Sequence, residues 1–324
     1  MSYQAEYQRS IEQPAEFWAE QAKALPWFKA PQDILTQDNE GIYHWFDDGE
    51  MNTAYMAVDY HVENGRGDQP AIIYDSPVSN SKSVLTYAQL QEQVSLFAGV
   101  LKAQGVEKGD RVVVYMPMIT EAVVAMLAIA RLGAIHSVVF GGFAPHELAV
   151  RIEDAEPKLI VTASCGIEVA KVIEYKPLVD KAIELSAHKP ECCVVLQRPQ
   201  AKAAMHEGMD IDWAEAMAKA TPADCVAVKG TDPLYILYTS GTTGKPKGVV
   251  RENGGHAVAL KYSMTAVYDM QPGEVFWAAS DVGWVVGHSY IVYGPLANGA
   301  ITLMFEGVPN YPDSSRCWQV VDKH

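Results

Sequence analysis

The sequence predicts a layered α/β fold with a parallel sheet at its centre. Three observations predict it. Strand-length apolar runs such as Val112-Val113-Val114 show no alternation, so both faces of those strands are buried, as in parallel sheets. Segments carrying a helical apolar stripe fall between these runs, the order expected of successive strand–helix units. Glycines such as Gly105 and Gly133 close the helical stretches, where a left-handed residue ends a helix.

Residues 1–60 are rich in rings, among them Phe17, Trp18, Trp27, Trp45 and Phe46, set between turn residues. They read as an extension laid onto the main domain, with a short helix after Pro14 and another after Thr53. Residues 70–74 read as a strand. Thr86 then caps a helix, with Gln89 completing a capping box, and Leu90, Val94, Phe97 and Leu101 form its buried stripe. Residues 111–116 are a strand, 120–132 a nearly all-apolar helix, 135–140 a strand, 145–155 a helix and 158–163 a strand. A helix over 177–187 and a strand over 192–196 follow. Residues 197–230 are polar and rich in small side chains, and read as a connecting helix with loops. A strand over 234–238 runs into a glycine-rich loop. Beyond it the pattern predicts a helix near 256–265, a strand over 275–279 and a helix or turn near 289–296. A strand over 301–305 and a last helix beginning near Asp313 complete the chain.

Composition narrows the function. The 324 residues are 49% hydrophobic and 20% charged, an ordinary globular balance rather than a disordered one. A net charge of −15 opposes nucleic-acid binding, which needs clustered Lys and Arg, but leaves room for a small anionic ligand in a local positive field. The five cysteines form no CxxC pair, which argues against a disulfide framework or a zinc site. The start carries Glu6, Glu12 and Glu16 and lacks the order of a signal or transit peptide. Apolar stretches are too short to span a bilayer. The expectation is a cytoplasmic protein without membrane partners.

The most informative stretch is Tyr238-Thr239-Ser240-Gly241-Thr242-Thr243-Gly244-Lys245-Pro246-Lys247-Gly248. Its glycines let backbone amides approach a ligand, its four hydroxyls donate to phosphate oxygens, and Lys245 and Lys247 supply positive charge. Such a loop directly after a buried strand binds phosphate. A solvated surface turn would use the same residue types, but it does not need so many hydroxyls beside two lysines. The spacing is not that of a Walker A loop, since only Thr242 and Thr243 separate Gly241 from Gly244.

This loop resembles the signature of the adenylate-forming superfamily of acyl-CoA synthetases, luciferases and peptide-synthetase adenylation domains. The resemblance extends over essentially the whole chain. Trp45-Phe46-Asp47-Asp48-Gly49-Glu50-Met51-Asn52 resembles the N-terminal extension of the acetyl-CoA synthetase branch. Asp281-Val282-Gly283-Trp284-Val285-Val286-Gly287-His288-Ser289-Tyr290 and Met304-Phe305-Glu306-Gly307-Val308-Pro309-Asn310 are similar to that branch and to propionyl-CoA synthetases. It implies layered parallel-sheet subdomains of the large N-terminal domain, with residues 1–60 as the extension and 61–324 as the first part of the AMP-binding domain. It implies an acid–thiol ligase that makes acyl-CoA, AMP and diphosphate from ATP with Mg2+, a short carboxylate such as propionate or acetate, and CoA.

The resemblance also implies residue roles. Thr239, Ser240, Gly241, Thr242, Thr243, Gly244 and Lys247 fall at phosphate-binding positions, with Lys245 at a more variable one. Trp284, Val285 and Val286 fall at the acyl pocket, although a tryptophan in an apolar run is more often a core residue. Val286 stands where the acetyl-specific pattern carries Thr, which tilts the expectation toward propionate. Lys171, Val286 and Asn310 fall on the CoA side. Glu168 departs from a basic pair there, and Lys176 or Arg151 are candidates to replace it. The family's magnesium carboxylate, adenine slot, hinge and catalytic lysine are expected after residue 324, so no catalytic residue is assigned here and the chain alone is expected to be inactive. Two rivals are a non-catalytic fragment with weak nucleotide binding and an unrelated phosphotransferase that releases ADP. His146-Glu147 lacks the second histidine of a zinc protease, and no Gly-x-Ser-x-Gly elbow accompanies Ser289.

Overall fold

The computed structural model describes residues 2–239 and 246–324. A seven-stranded sheet runs in the order Asp210–Asp212, Cys192–Leu196, Leu159–Ala163, Arg111–Tyr115, Ile135–Val138, Pro233–Thr239, Lys247–Glu252. Every neighbouring pair is parallel except the last. A second sheet places Val275–Phe276, Ile301–Phe305 and Pro70–Ser76 parallel, with Ser81–Thr86 antiparallel at its edge.

The unbroken apolar strands are explained by two cores. Val112 and Val114 face one core, with Leu159, Val161 and Val194. Val113 and Tyr115 face the other, with Ile160, Cys193 and Val195. Successive side chains point to opposite faces, so a strand covered on both sides has no polar position to spare. The first core also holds Ile72 and Met304 of the second sheet. The helices Tyr87–Ala103 and Thr120–Arg131 therefore serve both sheets, and Thr120–Arg131 is apolar nearly all round for that reason. The second core is closed by Pro145–Ala155 and Tyr175–Leu185.

Most predicted elements are present. The capping box is complete: the Thr86 hydroxyl accepts from the Gln89 amide, and the Gln89 side chain accepts from the Thr86 amide. Gly105 and Gly133 take φ of 76° and 68°, which end their helices. Several elements were not foreseen, among them the hairpin of Cys165–Glu168 and Lys171–Glu174 and the short strands Leu35–Gln37 and Tyr43–Trp45. The helix Tyr3–Glu12 buries no residue, so it shows no stripe to read. Ser81–Thr86 and Lys247–Glu252 are mostly exposed edge strands, and their alternation is lost because neither face is fully covered. The helix predicted at 177–187 starts earlier, at Tyr175, because Pro177 is tolerated in a first helical turn.

Residues 1–60 pack Ala22, Leu25, Phe46 and Met51 against Val228, Ala257 and Val258, with Trp18, Trp27 and Trp45 around them. Asn52 ties this layer to the main core. Its buried amide donates to the carbonyls of Ala130, Arg131 and Val226 at 3.0, 3.1 and 2.9 Å. Its oxygen accepts from the amides of Ala54 and Tyr55 at 2.9 and 3.0 Å. Beside it, Asp59 pairs with Arg131 at 2.7 Å, both side chains buried. Asn52→Ala should leave several buried groups without partners and cost about 3 kcal/mol. Urea unfolding would show this as a lower midpoint with an unchanged slope, and a midpoint equal to wild type would contradict it.

Candidate active site

The strand Pro233–Thr239 carries the chain to the predicted phosphate loop. Leu234, Tyr235 and Leu237 are buried, which anchors it between Ile135–Val138 and Lys247–Glu252. Ser240, Gly241, Thr242, Thr243, Gly244 and Lys245 lie outside the described residues. Thr239 and Lys247, the flanking candidates, are cross-strand partners and both exposed. The loop's two ends are thus held at adjacent positions at the carboxyl end of a parallel strand, where α/β sheets bind ligands.

A cavity of about 580 Å³ opens between the two sheets, lined among others by Phe140, Gly141, Tyr175, Asp281, Trp284 and Glu306. Trp284 is half exposed, with its ring 5.6 Å from that of Phe140 and edge-on to Phe143 at 6.3 Å. Gly141 is required by close approach, since a Cβ there would lie 2.3 Å from the Tyr175 hydroxyl oxygen. Asp281 accepts from the Gly283 amide at 2.7 Å, but burial outweighs that bond and pushes its carboxyl up to about 6. Glu306 is buried and accepts from Tyr74, from Ser76 at 2.8 Å and from Arg198 at 3.0 Å. This knot holds the wall segment Gly307-Val308-Pro309 against both sheets.

The remaining candidates are only partly brought together. Val285 and Val286 are exposed and stand outside the cavity lining, at the start of the short helix Val285–Gly287. Asn310 is exposed just beyond Pro309, which does line the cavity. Lys171 is exposed and directly opposite Glu168 in the hairpin of Cys165–Glu168 and Lys171–Glu174. Two suggested substitutes for the missing basic residue are excluded by their partners. Lys176 is buried and paired with Asp180 and with Asp210, the latter at 2.7 Å. Arg151 is buried, bonded to Glu147 at 2.9 Å and stacked on Phe143.

A histidine cluster behind the loop strand carried no sequence signal, because its members are scattered among apolar segments. His136, His256 and His288 pack around Tyr235 and Tyr293, with His136 Nε2 2.6 Å from the Tyr293 hydroxyl. Burial keeps them neutral, pushing His256 down to about 3 and His288 to about 4. His61, buried elsewhere, is likewise held at about 4.

The family profile for AMP-binding enzymes matches residues 59–324. The profile for the acetyl-coenzyme A synthetase N-terminus matches residues 3–57. The chain belongs to the AMP-binding enzyme family. It is 57% identical to an uncharacterized protein of Pseudomonas aeruginosa, over 100% of this chain and 52% of that protein. It is 51% identical to the acyl-CoA synthetase short-chain family member 3, mitochondrial, of Homo sapiens, over 99% of this chain and 47% of the relative. It is also 51% identical to the acetyl-coenzyme A synthetase 2 of P. aeruginosa, over 99% of this chain and 50% of the relative. The chain spans about half the length of the curated relatives it matches.

The buried histidines predict an acid-sensitive fold. In the unfolded chain they take up protons near pH 6.5, while in the fold they do not, so stability is full above that pH and falls as pH drops toward 4. Each histidine contributes about 1.4 kcal/mol per pH unit in that window. Asp281 acts oppositely between about pH 4 and 6, offsetting one such group. Urea midpoints at pH 7.5, 6.5 and 5.5 should decline in that order, and a flat profile would contradict the neutral cluster.

Proposed function

We propose that this chain carries the phosphate loop and the thioester-side cavity of an AMP-forming short-chain acyl-CoA synthetase. The carrying observation is the hydroxyl- and lysine-rich loop closed by the Thr239–Lys247 pair at the carboxyl end of a parallel strand. The resemblance of residues 281–290 and 304–310 to short-chain synthetases, and the printed names of the human and P. aeruginosa relatives, support the same reading. On this reading residues 1–60 are the extension, 61–324 the first part of the adenylation domain, and the protein works in the cytoplasm.

The chemistry has two displacements. A carboxylate oxygen attacks the α-phosphorus of ATP and diphosphate leaves, giving an acyl-adenylate. The CoA sulfur then attacks the acyl carbon and AMP leaves. Thr239, Ser240, Thr242, Thr243 and Lys247, with Lys245 as a further cation, would hold the β- and γ-phosphates and stabilise charge as diphosphate departs. Trp284 would close the acyl side, and Val285 and Val286, exposed beside it outside the cavity lining, would add apolar surface there. The cavity floored by Gly141 would admit the slender thiol end of CoA, and Lys171 and Asn310 would meet its outer part. Among the described residues no group of three or more His, Cys, Asp or Glu could hold a metal ion. Among them, too, no helix is long and apolar enough to cross a membrane. Turnover by residues 1–324 alone is not expected, since the relatives carry as much sequence again outside the match.

Two measurements test this. With the length of its relatives, the enzyme should convert ATP, CoA and propionate or acetate to AMP and diphosphate. Release of ADP would instead indicate a phosphotransferase. In the same enzyme Trp284→Gly should favour longer acids over propionate, because each methylene newly buried in the vacated space adds about 0.8 kcal/mol. An unchanged ranking of acetate, propionate, butyrate and hexanoate would remove Trp284 from the pocket wall.

A further inference from the structure

The strand that delivers the loop carries Tyr238 as its last residue but one, and Tyr238 is held from outside its own sheet. Its hydroxyl donates to the Asp154 carboxylate at 2.6 Å. The Arg151 guanidinium lies 5.6 Å from the centre of the Tyr238 ring and 4.8 Å from that of Phe143. Asp154 and Arg151 sit one helical turn apart on Pro145–Ala155, so a single face of that helix presents both groups. The helix itself is fixed, with Leu148 and Ile152 fully buried in the second core. Arg151 is further fixed by Glu147, which accepts from Nη1 through both its carboxylate, at 2.9 Å, and its backbone carbonyl, at 2.6 Å. On the far side, Phe143 stands edge-on to Trp284 at 6.3 Å.

We propose that Arg151 and Asp154 are positioning residues that set the base of the phosphate loop through Tyr238 and tie it to the aromatic wall at Trp284. The proposal rests on the synthetase reading for its kinetic part only. Two independent restraints act on one side chain. The hydrogen bond fixes the Tyr238 hydroxyl, and the stacked cation fixes the plane of its ring. The adjacent residue, Thr239, is the first phosphate-binding candidate, so a rotation of Tyr238 displaces the loop's entry point. Burial, with the bond to Asp154, raises the Tyr238 phenol well above its ordinary range, so it stays a donor at all working pH values. An unrestrained loop would still carry the same donors, but it would pay more entropy to gather them on a triphosphate. Lysine at 151 would keep the charge and lose the flat fork that both stacks on the rings and grips Glu147.

The test uses Tyr238→Phe, Asp154→Asn and Arg151→Lys in the enzyme with the length of its relatives. Hydrogen exchange read by mass spectrometry should speed up in peptides covering residues 233–239 in Tyr238→Phe and Arg151→Lys. Peptides covering 192–196 should not change. Carboxylate-dependent exchange of labelled diphosphate into ATP should show a KM for ATP raised about tenfold, with kcat and the carboxylate KM within about twofold of wild type. Asp154→Asn, which keeps an acceptor for the Tyr238 hydroxyl, should lose much less than Tyr238→Phe. Exchange at 233–239 equal to wild type would overturn the proposal, as would an unchanged KM for ATP in an active enzyme. A wild-type enzyme without diphosphate exchange would overturn the synthetase reading, and the hydrogen-exchange arm would still decide the role of Arg151 and Asp154.

Discussion

The pairing of Pro233–Thr239 with two different neighbours is the constraint on which the candidate site depends. On one side it lies parallel to Ile135–Val138 and joins the buried sheet. On the other it runs antiparallel to Lys247–Glu252, so the chain must turn back at the sheet's carboxyl end. A parallel neighbour would need a long crossover there and would send the chain to the opposite end of the sheet. The antiparallel edge instead keeps Thr239 and Lys247 opposite each other. A hydroxyl-bearing residue and a lysine are thereby placed side by side at the exposed edge of the sheet.

The cavity depends on a second kind of constraint, the joining of two sheets. Trp284 and Asp281 follow the short strand Val275–Phe276 of the second sheet, whereas Phe140 and Gly141 follow Ile135–Val138 of the first. Neither sheet contains the cavity alone. The shared core of Tyr87–Ala103 and Thr120–Arg131 sets their separation, and the Arg198–Glu306 pair pins them together at 2.8 Å near the cavity wall. A buried ion pair of this kind does little for net stability but tolerates few alternative arrangements. Tyr74, Ser76 and Arg198 Nη2 all donate to one Glu306 oxygen, Oε2, while Oε1 faces Arg198 Nη1 as an ion pair without a hydrogen bond.

Residues 1–60 are built into the fold rather than appended to it. Asn52 satisfies three carbonyls at the end of Thr120–Arg131 and near Val226, and Asp59 neutralises Arg131 beside them. Removal of either would expose unsatisfied groups at the end of the most buried helix. The aromatic density of residues 1–60 follows from this, because a thin layer must bury large area per residue to stay in place.

Much of this was legible in the sequence because it rests on local pattern. The capping box at Thr86 and Gln89, the strands over Cys192–Leu196 and Ile301–Phe305, and the helix Pro145–Ala155 each follow from spacing and composition within a few residues. The candidate phosphate loop could be proposed from the sequence for the same reason, since its glycines, hydroxyls and lysines are contiguous. Tertiary structure alone decided which distant side chains meet. Arg151 and Lys176 carry charges suited to a phosphate, yet Glu147 and the Phe143 ring occupy one, and Asp180 and Asp210 the other. The same limit hid the histidine cluster and the edge strand Lys247–Glu252. Burial of a single polar residue, or exposure of an apolar one, is set by what packs against it from elsewhere in the chain, and no local pattern encodes that.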